Sequence, residues 1–246
     1  MFFPINDNGR NTMLKLSFEV QTHSIAEPIT TTDGKLLGVE MLTRLEAGGL
    51  LTKGAFNMQY FMDGLLEESK RLLLMDQIQQ IKGKAEFFIK RGLVCSINVD
   101  FHMAVIILKD SAVSTLLDEL PFIRLEISEQ FPNLSDGLKN PLLRALGKRY
   151  VLWLDDLGSG HANMEAVQSG IFECIKVDKQ FYWKNSKLLI WPNIIRTISN
   201  YCESIIIEGV ETTEQRSTMV EGIAGIQGYI YKSVPFAKIE RLKLLH

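Results

Sequence analysis

The sequence predicts an α/β fold, a TIM-like (β/α)8 barrel in which one strand runs antiparallel to its neighbour. Three observations point there. Apolar, strand-like runs alternate with helical stretches along most of the 246 residues, a length that suits one large α/β domain. An Asp33-Gly34 turn joins the first two runs as a hairpin. Polar side chains close successive runs: Glu40, Asn98, Glu126, Asp155 with Asp156, Lys176 with Asp178, and Glu208. A parallel sheet builds its ligand site at the carboxyl ends of its strands, so this series should collect at one mouth.

In order along the chain, residues 1–16 read as a loose lead-in and 17–246 as a single domain. The turn 31–34 is flanked by Glu27-Pro28-Ile29 and by a strand over 36–45. Phe61, Leu65, Leu72, Met75 and Ile78 recur at helical spacing and predict a helix over 56–82. A strand over 93–99, a helix over 101–120, a strand over 122–128 and a helix near 136–148 follow. Next come a strand over 150–155, the Gly-rich loop Leu157-Gly158-Ser159-Gly160, a helix near 162–169 and a strand over 172–177. The helical stretch after that ends near Glu203 and divides at Trp191-Pro192, because proline lacks the N–H a helix interior needs. A strand over 204–208, a helix over 212–220, a last strand over 224–230 and a last helix over 236–246 complete the reading.

Composition narrows the function. Hydrophobic residues make up 46% and charged residues 23% of the chain, which supports a sizeable core. The net charge of −2 supplies no general field for a nucleic-acid polymer. No apolar run approaches the roughly 20 residues of a membrane span, and residues 1–13 lack the apolar core of a secretory signal. Cys95, Cys174 and Cys202 are odd in number and contain no CxxC pair, so free thiols in a reducing cytoplasm are expected.

An oxygen-rich cluster with one lysine and neither His nor Cys suits hard divalent ions and phosphate chemistry. Taken singly, an acid at a strand end is more often a helix cap or a solvated loop residue. Lys176 could equally extend its amine to the barrel rim. Trp153, Trp183 and Trp191 read as packing aromatics, the latter two with an interface as the alternative.

The ordered set is similar to the EAL domain family of bacterial signalling, the cyclic di-GMP phosphodiesterases. The resemblance runs from about Pro28 to Pro235. It is carried by Glu40-Met41-Leu42 with Arg44, Ser96-Ile97-Asn98, Glu126-Ile127-Ser128-Glu129, Asp155-Asp156-Leu157-Gly158-Ser159-Gly160, Ile175-Lys176-Val177-Asp178, Glu208-Gly209-Val210-Glu211-Thr212 and Gln227-Gly228-Tyr229. The chain departs from the pattern at Glu27-Pro28-Ile29, where the family usually has Gln-Pro-Ile beside bound nucleotide. His161 replaces a common tyrosine, and the closing segment 231–235 follows the family only loosely.

The resemblance implies hydrolysis of cyclic di-GMP to linear 5′-pGpG by two Mg²⁺ or Mn²⁺ ions, which would influence attachment and motility. Glu40, Asn98, Glu126, Asp155, Asp156 and Glu208 would hold the metals, with Asp155 bridging them. Lys176, Glu40 and Asp156 would serve catalysis, Lys176 by donating to the attacking water or, with a depressed pKa, by accepting its proton. Glu129, Gly158 and Gly160 would shape the loop. Gln227 would contact substrate, and Arg44 either a phosphate or a rim ion pair. A homodimer through 157–185 is expected. The alternative is a catalytically weak or inactive member that acts by binding cyclic di-GMP or a protein partner.

Overall fold

The computed structural model of the chain describes residues 21–46, 62, 64–159 and 164–242. Eight strands close a barrel and a ninth, short strand adds to it. β1 (Gln21–Thr30) and β2 (Leu36–Glu46) form the predicted antiparallel hairpin around Asp33-Gly34, where Gly34 takes φ 94°. β2 then starts a parallel series through β3 (Val94–Asn98), β4 (Ile123–Ser128), β5 (Leu152–Leu157), β6 (Phe172–Val177), β7 (Ser204–Ile207) and β8 (Gly225–Ile226). Antiparallel pairing of Thr30 with Ile226 closes the ring. β9 (Val234–Pro235) pairs with Ile25 and Ala26 of β1.

Local chemistry sets where the helices break. In α1 (Glu67–Lys82) the buried residues are Lys70, Leu74, Gln77, Ile78 and Ile81, one stripe at 3.6-residue period. α2 (Ala85–Arg91) ends at Gly92 in the left-handed region and was not predicted separately. The helix expected over 101–120 is two, α3 (Phe101–Lys109) and α4 (Ser111–Asp118). Asp110 leaves helical geometry, and its carboxylate accepts from the backbone N–H groups of Ala112 and Val113, so it caps a new helix. Asn140 does the same for α5 (Pro141–Gly147), after a 3₁₀ stretch at Leu134–Lys139. α6 spans Met164–Gln168. Asp178 caps α7 (Lys179–Asn185), so this strand-end acid takes the capping role. The division at Trp191-Pro192 is present: α8 (Trp191–Ser199) carries Pro192 in its first turn.

The late elements are shorter than predicted. α9 covers only Thr213–Ser217 behind a Thr212/Gln215 capping box. The strand expected over 224–230 keeps two residues, because Gly228 turns the chain at φ 146°. The described part of the last helix is a 3₁₀ stretch, Phe236–Arg241. Expectations for 1–16, 56–61 and Gly160 lie outside the described residues.

Strand alternation positions the site. Ile29, Trp153, Cys174 and Ile206 form a small apolar cluster of their own. Two residues further towards the mouth on the same strand faces stand Glu27, Asp155, Lys176 and Glu208. An apolar floor therefore lies directly beneath a charged layer. The larger core fills the space between barrel and helices.

Gly228 is the tightest backbone approach at the mouth. A Cβ there would lie 2.5 Å from both the N and O of Val210, and Val210 N donates to Gln227 O at 3.0 Å. Gly228→Ala should cost roughly 1–3 kcal/mol and lower the melting temperature by roughly 3–10 °C. Differential scanning calorimetry checks this; an unchanged melting temperature would show that the turn has another conformation available.

Candidate functional site

The ammonium of Lys176 is the hub of the barrel mouth. It is fully buried, and its Nζ lies 3.0 Å from Glu40, 3.1 Å from Glu126, 2.9 Å from Asp155 and 2.9 Å from Glu208. Each carboxylate arrives from a different strand or strand end, so parallel pairing and alternation alone bring them together. Glu40 is gripped twice more: Asn98 Nδ2 donates to Oε1 at 2.7 Å and Gln227 Nε2 to Oε2 at 2.6 Å.

The charges do not balance. Four carboxylates around one ammonium leave three formal negative charges in excess. Burial opposes ionisation of Glu40, but Lys176, Gln227 and Asn98 outweigh it and hold its pKa below the usual value. The others go the opposite way. Burial and then Glu40 drive Glu126 well above the ordinary range. Burial raises Asp155 and Glu208 despite the attraction of Lys176. Burial and the neighbouring Asp155 push Asp156 up to about 7. Burial works against the charged form of Lys176, yet the surrounding carboxylates raise its pKa well above that of a free lysine. With its pKa raised in this cage, Lys176 acts towards the four carboxylates as a charged donor.

The donor set fits a hard divalent cation. Asp155, Asp156 and Glu208 each offer a carboxylate oxygen within 4.8 Å of the other two, all the donors are oxygens, and the cluster carries excess negative charge. Asp156 joins this group from a left-handed backbone, φ 61°, at a register irregularity between β5 and β6.

The remaining predicted residues are distributed around this hub. Glu129 is buried and accepts from Ser159 Oγ at 3.0 Å. Gly158 takes φ 97°, and a Cβ there would lie 2.5 Å from the Phe181 ring. Arg44 stands exposed on β2. Burial raises the pKa of Cys95 and Cys174, and Cys202 sits at about 11 for the same reason, so none offers a thiolate.

Two features went unread in the sequence: the pairing of Glu27, singled out there only as a departure from the family pattern, and a buried lysine. Glu27 lies directly opposite Glu40 in the hairpin register, and burial together with the Glu40 charge raises its pKa. Counting pairs outward from the Asp33-Gly34 turn would have found this. Lys70, 1% exposed, pairs with Asp100 at 2.5 Å beneath the β3 end, and Gln77 donates to Thr43 at 3.1 Å. Both belong to the buried stripe of α1, where a lysine and a glutamine in an apolar period were the signal.

These shifts predict a pH dependence. Asp156 ionises at 3.8 when free and at about 7 in the fold, so the folded chain binds the extra proton between those values. The stability this contributes is present at acid pH and lost as pH rises through about 7; Glu126, Asp155 and Glu208 act in the same direction. In metal-free buffer the melting temperature should fall between about pH 5.5 and about pH 8, and Asp156→Asn should flatten the fall. A melting temperature that rises over this interval would contradict the proposed electrostatics.

Comparison with known proteins corrects one expectation. The EAL domain family profile matches residues 21–233. The anti-FlhC(2)FlhD(4) factor YdiV of Salmonella paratyphi B is 26% identical over 222 residues, covering 87% of this chain and 92% of that protein. The putative anti-FlhC(2)FlhD(4) factor YdiV of Escherichia coli K12 is 29% identical over 220 residues, with the same coverages. The crystal structure of the EAL-like domain protein YdiV superposes with a TM-score of 0.80 at 28% identity, over 90% of this chain and 95% of that one. Relatives matched along nearly their whole length thus bear the name of an anti-factor, and the expectation of a cyclic di-GMP phosphodiesterase is withdrawn. At the mouth, Glu27 sets a second carboxylate directly across the hairpin from Glu40. Barrel closure, the antiparallel β1–β2 hairpin and the matched family profile agree: this chain belongs to the EAL domain family.

Proposed function

We propose that this chain is a regulator that acts by binding another protein, and that its partner is a complex of the FlhC(2)FlhD(4) kind. The similarity to anti-FlhC(2)FlhD(4) factors across 92% of their length carries this reading. Among the described residues no helix is long and apolar enough to cross a membrane.

Binding is the direct test. Purified chain titrated against purified FlhC(2)FlhD(4) complex should give a Kd of about 10 μM or tighter by biolayer interferometry. No association at roughly tenfold higher concentration would overturn the reading.

The acid cluster has a separate duty in this proposal. Asp155, Asp156 and Glu208 hold Mg²⁺ or Mn²⁺, which neutralises the excess charge and stiffens the mouth. Adding either ion should raise the melting temperature, and more at about pH 8 than at about pH 5.5, because protons compete for the same oxygens. An equal rise in Glu208→Gln would place the ion elsewhere.

A further inference from the structure

The turn between α7 and α8 exposes more apolar surface than folding explains. Leu188, Leu189 and Ile190 are 49%, 100% and 55% exposed, and Trp183 in α7 is 42% exposed. Leu188, Leu189 and Ile190 are consecutive and Trp183 stands on the helix that leads into their turn; exposed large apolar side chains grouped in this way mark a contact site.

The support under them is rigid. Trp183 Nε1 donates to Gly209 O at 2.9 Å, so its polar atom is satisfied while its ring faces outward. Trp191, 2% exposed, packs against the rings of Phe181 and Tyr182 at 6.4 and 5.9 Å. Backbone bonds from Leu188 N to Asn185 O and from Trp191 N to Leu188 O fix the turn between them. A preorganised aromatic and aliphatic face loses little entropy on docking.

Charge identifies the occupant. Residues 179–202 contain Lys179, Lys184, Lys187 and Arg196 and no acid, in a chain whose net charge is −2. All four cations are exposed, and among the described residues none forms an ion pair. We propose that this face docks an acidic protein surface in which carboxylates surround apolar anchors. The inference rests on the protein-binding reading above and assigns it a location. A second copy of this chain fits poorly, since a two-fold contact would set the same cations against one another. An anionic membrane fits poorly too: surface-lying helices need a free apolar face, and that of α8 (Trp191, Ile195, Ile198) is buried in the core.

Two double variants test it, Leu189→Glu with Ile190→Glu and Lys184→Glu with Lys187→Glu, each first shown to keep the wild-type melting temperature. The probe is purified FlhC(2)FlhD(4) complex, measured by biolayer interferometry at low and high salt. Each variant should raise the Kd roughly tenfold or more, and the lysine variant should lose most of the salt dependence. Absence of wild-type binding overturns the protein-binding reading and this inference with it. Wild-type binding that both variants retain overturns the inference alone. So does either of two other results obtained with binding to the complex unchanged: a wild-type dimer in sedimentation that the variants dissociate, or co-sedimentation with phosphatidylglycerol vesicles that the variants abolish.

Discussion

The burial of one ammonium among four carboxylates is the constraint on which the mouth of this barrel depends. Lys176 is fully buried and touches Glu40, Glu126, Asp155 and Glu208 at 2.9–3.1 Å. Removing the lysine would leave like charges facing one another in a low dielectric, a loss of roughly 3–5 kcal/mol for a buried pair. The parallel register places the groups, and their attraction in turn ties together strands that are not sheet neighbours. β2, β4, β5, β6 and the end of β7 meet at this one atom. The cage is overcharged, so it answers to protons and cations.

Much of this was legible in the chain. The hairpin at Asp33-Gly34, the strand-end acids and the break at Trp191-Pro192 follow from local chemistry that tertiary context does not override. The failures have physical causes. Asp110 divides a helix because its side chain competes for the backbone N–H groups of Ala112 and Val113, and a run of apolar residues on either side hid that cap. β8 is short because Gly228 must press against the Val210 backbone, a contact between segments that periodicity cannot reveal. Asp178 became a cap and not a member of the cage, since strand-end position alone does not say which way a carboxylate turns. The opposition of Glu27 to Glu40 was implicit in the hairpin register and was not drawn from it.

Function was less legible than fold. The acid set resembles that of a phosphodiesterase, and the inference to turnover followed from the set. Chemistry at such a mouth also requires that the substrate be welcomed. Here a glutamate faces another glutamate across the hairpin, and Arg44 stands in solvent. Protein binding draws on other resources: exposed apolar side chains on a rigid base with uncompensated positive charge around them, which the α7–α8 turn supplies. The barrel thus separates a charged interior, which sets stability and its response to ions, from an outer face free to meet a partner.

That separation is tested most directly by Glu126→Gln. Glu126 is fully buried and its carboxyl is already driven towards the neutral form, so glutamine keeps its shape and an oxygen that accepts from Lys176 while removing the ionisable group. The measurement is the affinity of this variant for FlhC(2)FlhD(4) complex, beside its melting temperature with and without Mg²⁺. The account predicts an affinity within about twofold of wild type and a smaller Mg²⁺-induced rise in melting temperature. Loss of binding by a variant that melts as the wild type does would contradict it, and would return the acid cage to the centre of function.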